Sequence, residues 1–110
     1  MSFQLEFDAT ATHARLAGEL TIYSVSEIRQ RYVDAVEQKQ PDSCEIDLAD
    51  VSEIDTAGLQ LMLLIKKRPG VNTQFIRHSS SVLRLIDLAN LGGALGDPML
   101  IDKSTQEAQS

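Results

Sequence analysis

"SEIDTAGLQLMLLIKK", residues 52–67, is the stretch on which the reading of this chain turns. From Ala57 to Ile65 only Gln60 is strongly polar, so this is the most apolar segment of the sequence. Asp55 and Thr56 stand at its entrance, and Lys66, Lys67, Pro69 and Gly70 stand at its exit. That arrangement predicts a helix from Thr56 to Lys67. A short polar side chain caps the first free N–H groups, cations face the negative helix end, and Pro-Gly stops the run. Either Asp55 or Thr56 serves as the cap. Gly58 is the residue that capping does not explain. Glycine inside a helix costs up to about 1 kcal/mol relative to alanine, so its presence calls for an unusual φ or for close approach of a backbone or ligand. A hydroxyl above free helical N–H groups also suits a phosphate. Thr56 is therefore a phosphorylation candidate. It is not a catalytic nucleophile, because no base stands near it in sequence.

A helix apolar on most sides is either covered or leaves part of its surface to a partner. Met62 and Leu63 are core by default; the alternative is a docking patch formed by an exposed subset of Leu59, Met62 and Ile65. Working outward, "FQLEF" alternates from Phe3 to Phe7 and "THARLAG" alternates through Ala14 and Leu16, which predicts two strands. "SVSEIRQRYVDAVEQK" places Val25, Ile28, Tyr32, Val33 and Val36 on one helical face, with Ser24 and Glu27 spaced as a capping box. "SCEIDL" predicts a strand with Cys44, Ile46 and Leu48 on one side. After the central helix, "VNTQFIRH" suits a strand, "SSSVLRLIDLANL" a third helix, and Met99 to Ile101 a last short strand. The order is β-β-α-β-α-β-α-β, an α/β chain with a four- to five-stranded mixed sheet and about three main helices. Strands separated by helices require parallel crossovers.

The chain has 110 residues, enough for a single domain with a real core, assigned here to residues 1–103 with a polar tail at 104–110. Ten basic residues are scattered among sixteen acids, giving a net charge of -6. That balance disfavours nucleic acid, whose phosphates ask for a Lys/Arg face, and an anionic membrane surface. No apolar run is long enough for membrane insertion, and "MSFQLEFD" has neither the basic nor the apolar part of an export signal, so a cytoplasmic location is expected. Cys44, the one cysteine, has no partner for an internal disulfide.

Chemistry-bearing clusters are sparse. Asp47 and Asp50 near a strand end invite an Mg²⁺-dependent phospho-acceptor reading, but "LEFDAT" offers only Asp8 and Glu6 where a converging acidic pair is needed. His13 and His78 have no His or Cys at metal spacing and read as surface or loop residues. No "GxxxxGK" loop or acid/base pair is present. No enzyme activity, metal or cofactor is expected.

"DLADVSEIDTAGLQLMLLIKK" resembles the central segment of the STAS domain, the fold of bacterial anti-sigma factor antagonists. Asp55, Thr56, Gly58 and Leu59 match that family's Asp-Ser/Thr-x-Gly-Leu, "LAGELTIYS" is similar to its Gly-Glu-Leu turn, and "HSSSVLRLIDLANLGG" to its third helix, with Leu91 at the end. The resemblance implies a STAS fold and a non-enzymatic bacterial signalling module. Its partner would be a protein: an anti-sigma or histidine-kinase-type ATPase, with Thr56 where the family's regulatory phosphate is placed by a serine kinase. It implies partner-binding residues at Asp55, Thr56, Ala57, Gly58, Leu59, Thr21, Tyr23 and Met62. Thr21 departs from the acid that many antagonists carry after Gly-Glu-Leu, and "GELTIY" looks more like STAS proteins found beside chemotaxis and other two-component systems. The alternative is a constitutive cytoplasmic accessory subunit of a larger assembly, such as a lipid-transport ABC complex with its transporter ATPase.

Overall fold

The computed structural model describes residues 2–89. Its elements are β1 (Phe3–Phe7), β2 (His13–Leu20), α1 (Val25–Lys39), β3 (Ser43–Ile54), α2 (Thr56–Lys67), β4 (Asn72–Ile76) and α3 (Ser80–Ala89). The order β-β-α-β-α-β-α follows the sequence pattern. The strand expected at Met99–Ile101, Leu91 and the domain limit at residue 103 lie outside the described residues.

The sheet runs β1-β2-β3-β4. β1 and β2 form an antiparallel hairpin, while β2/β3 and β3/β4 are parallel and are joined through α1 and α2. Alternation sorts the faces. Phe3, Ala14, Leu16, Cys44, Ile46, Leu48 and Phe75 join one buried cluster with Ile28, Tyr32 and Val36 of α1, with Leu59, Leu61, Met62 and Ile65 of α2, and with Val82 and Ile86 of α3. The opposite face carries Gln4, Glu6, His13, Arg15, Glu45, Asp47 and Gln74, all exposed or half-buried. It is laced by Arg15–Asp50 at 2.7 Å and Arg77–Asp47 at 3.4 Å, exposed pairs of little net stabilising value. These contacts tie Asp47 and Asp50 to arginines on the open sheet face and do not gather an acidic metal site; among the described residues no His, Cys, Asp and Glu group could hold a metal ion.

β3 is twice as long as "SCEIDL" suggests. Its inward residues are Leu48 and then Val51, with half-buried Ile54 next, so the apolar phase breaks strict alternation. The register gives the reason. Arg15 pairs with Asp47 but Ala17 with Asp50, and Gly18 pairs with Val51 but Glu19 with Glu53. Each step inserts one extra residue in β3, a pair of bulges that reset which side faces the core. Gly18 sits at this place with φ +91, and a side chain there would run into the Ser2 carbonyl.

The capping box at α1 does not form. Ser24 precedes the helix without a side-chain cap bond, and Glu27 pairs instead with Arg31, one turn on, at 2.8 Å. His78, expected on the surface or in a loop, lies in the β4–α3 loop but is buried there. Cys44 is fully buried, and desolvation, with the nearby Asp8 and Glu45 charges, pushes its thiol up to about 11. At the hairpin, desolvation works to raise the Asp8 carboxyl. The hydrogen bonds from His13 and Thr12 outweigh it and bring the group down to about 2. Asp8 thus closes the β1–β2 turn.

A polar contact crosses the core: the Tyr32 hydroxyl of α1 meets the Thr73 hydroxyl of β4 at 2.6 Å. Both groups are buried, so deleting one strands the other. Tyr32→Phe should cost about 1–3 kcal/mol in urea unfolding. Adding Thr73→Val should recover much of that loss, because the orphaned hydroxyl goes too; a double variant as unstable as the sum of the singles contradicts this account.

Candidate functional site

The site is the junction where β2 ends, β3 ends and α2 begins. Asp55, in extended conformation, caps α2: its Oδ1 accepts the Gly58 N–H at 3.1 Å, and its carbonyl accepts the Leu59 N–H at 3.1 Å. Asp55 is therefore the cap, and Thr56 is the first helical residue, with an exposed side chain. Asp55 also reaches across the sheet end. Its N–H donates to the Leu20 carbonyl at 3.3 Å, and its Oδ2 accepts the Ile22 N–H at 2.9 Å.

Gly58 lies over that same Leu20 carbonyl. A Cβ at Gly58 would overlap the Leu20 oxygen and sit 2.8 Å from Leu20 Cγ and 3.0 Å from Ile54 Cγ1. The sequence left open whether a backbone or a ligand approaches this glycine, and the structure answers with the backbone of β2.

Ile22 and Tyr23 follow Leu20 and Thr21 in the β2–α1 loop and are 65% and 91% exposed. Two large apolar side chains pointing outward need a loop that holds them there, and its bonds are dense. The Thr21 carbonyl accepts the N–H groups of Ser24 and Val25, both at 2.9 Å. The Ser24 hydroxyl accepts the Thr21 N–H at 3.0 Å and donates to the Glu19 carbonyl at 2.8 Å. Ser24 serves the loop, which is why it does not cap α1. Glu19 and Glu53, paired across β2 and β3, place two acids beside the junction.

The residues singled out in the sequence divide by burial. Thr56 and Tyr23 are exposed, Asp55 and Ala57 half-buried, and Thr21, Gly58, Leu59 and Met62 buried. Leu59, Met62 and Ile65 do not form a docking patch. They face the sheet, and Met62 is 1% exposed. The apolar residue that α2 does present outward is Leu64. Thr21 keeps its hydroxyl inside the loop, 3.4 Å from the Tyr23 N–H that it accepts. Ile22 is the neighbour that sequence reading missed. Its signal was available: a bulky apolar pair, Ile22-Tyr23, stands between a strand and a helix, outside either periodic pattern.

The family described as "Mlab, STAS domain" matches residues 3–101. The chain belongs to the STAS family. Solved STAS-like structures agree with the fold. The anti-sigma factor antagonist SpoIIAA in its unphosphorylated form is 23% identical, with a TM-score of 0.67 over 96% of this chain and 94% of that one. An anti-sigma factor antagonist from Mycobacterium paratuberculosis is 18% identical, with a TM-score of 0.67 over 96% and 91% of the two chains. No curated protein matches the chain in sequence. Among the described residues of this STAS domain, no helix is long and apolar enough to cross a membrane.

Gly58→Ala tests the junction. Alanine is the better helix former by up to about 1 kcal/mol, yet here the added methyl meets backbone that cannot swing away. The variant should lose about 1–3 kcal/mol net in denaturant unfolding. A stabilised Gly58→Ala protein would remove the close approach from the explanation.

Proposed function

We propose that this STAS domain is a non-enzymatic regulatory module that binds a kinase-type ATPase through the start of α2 and the β2–α1 loop, and that phosphorylation of Thr56 weakens the contact. The observation that carries this reading is the exposure of the Thr56 side chain at the first position of α2, next to the residue that bonds the loop bearing Ile22 and Tyr23. A phosphate there adds about -1.5 to -2 charges and considerable bulk. The helix N-terminus favours negative charge, so the monomer tolerates the group while the contact surface changes. A coupling of about 1–3 kcal/mol changes affinity roughly tenfold to a hundredfold. The anti-sigma factor antagonists that share the fold support a protein partner of this class.

Thr21 speaks against direct sigma-factor control and so leaves room for a second reading, a constitutive accessory subunit of a transporter ATPase. Where many antagonists present an acid to their kinase, this chain has a buried threonine whose hydroxyl serves its own loop. In that setting Thr56 makes a permanent interfacial hydrogen bond.

The Thr56 pair of variants tests the switch. Both Thr56→Ala and Thr56→Glu should melt near the wild-type temperature. Thr56→Glu should retain at least about tenfold less of the co-purifying ATPase than Thr56→Ala. If both retain it like wild type and no phosphothreonine is found in cells, the switch is discarded; recovery of a transporter ATPase insensitive to Thr56→Glu selects the second reading.

A further inference from the structure

Ile22 and Tyr23 carry the largest apolar exposure beside Thr56, so their outward side chains do not fix the loop that bears them. What fixes it is polar. The internal bonds of Thr21 and Ser24 shape the turn, but they do not bind the turn to the rest of the junction at Ile22. The bond from Ile22 N–H to Asp55 Oδ2, at 2.9 Å, does. The other oxygen of the same carboxylate caps Gly58. A charged acceptor makes the stronger kind of hydrogen bond, and Asp55 is further held by its own N–H on the Leu20 carbonyl.

We infer that Asp55 is a positioning residue with two separable tasks: one oxygen caps α2, and the other holds the Ile22–Tyr23 loop in the shape it presents to a partner. Two χ angles and a rigid ring make an exposed tyrosine an effective anchor when its backbone is already ordered, since little further entropy is lost on docking. The inference rests on the proposed reading of this surface as partner-facing. It makes the residue before Thr56 the physical link between the modification site and the apolar anchor.

Two substitutions separate the tasks. In Asp55→Asn a single carbonyl oxygen can cap Gly58 or accept from Ile22, but not both, because the amide NH₂ is a donor. In Asp55→Ser the hydroxyl caps about as well as aspartate and leaves no second oxygen for Ile22. Amide exchange of the free protein, read residue by residue by NMR, needs no partner. Asp55→Ser should speed exchange at Ile22 by about tenfold or more, and chymotrypsin should cut that variant faster after Tyr23; Asp55→Asn should speed exchange at whichever of Ile22 and Gly58 its oxygen leaves. Exchange at Ile46 and Leu48 in β3 should move by less than about twofold. Unchanged exchange at Ile22 in Asp55→Ser overturns the inference, as does a rise at Ile22 matched by Ile46 and Leu48, which would mean that Asp55 acts on global stability alone. Since only the free chain is measured, this outcome is independent of whether Thr56 variants alter partner retention.

Discussion

The close seating of the first turn of α2 on the end of β2 is the constraint from which the rest follows. A helix can come this near to a strand-end carbonyl only where it lacks a side chain, and Gly58 supplies that gap. Once the turn is seated, Leu59, Met62 and Ile65 fall onto the sheet and into the cluster with Leu20, Leu48 and Phe75. Asp55 is then brought within reach of both Gly58 and Ile22. The penalty of a glycine in a helix is thereby offset by burial of the most apolar segment in the chain.

Away from that junction, the fold is held by ordinary means. One sheet face is covered by three helices, and the other is polar and crossed by ion pairs that contribute little. The Tyr32–Thr73 pair stands out on the covered face, where two buried hydroxyls satisfy each other. Such a contact discriminates between packings more than it stabilises any one of them, because a shifted α1 would leave both hydroxyls without partners.

Periodicity carried the reading of the elements where it was unbroken. The alternation of β1 and β4 and the helical faces of α1 and α2 were legible because each keeps a single phase. β3 was cut short because two bulges reset its phase between Leu48 and Ile54, and a pattern read along one strand cannot see the register of its neighbour. Gly58 was legible as an anomaly, though the sequence alone could not say that the approaching group is the Leu20 carbonyl. The capping box failed for a related reason. Ser24 has the right spacing to Glu27, but its hydroxyl is engaged by Thr21 and Glu19, contacts that no local motif announces. Met62 is core, as its apolar run suggests by default, while the alternative patch of Leu59, Met62 and Ile65 fails because a helix apolar on most sides does not declare which side meets the sheet.

The doubled bulge in β3 carries a consequence for how this chain can vary. Residues 49–53 look in sequence like a spacer of the kind that absorbs length changes freely. In the fold they are ladder positions whose two extra residues bring Ile54 and Asp55 to the correct side of the sheet. Removing or adding one residue there would turn the strand over ahead of the helix, aiming the Asp55 carboxylate away from Ile22 and the Gly58 face away from Leu20. Indels should therefore be far better tolerated at Gly70, whose surroundings are open, than in the stretch that most resembles a loop.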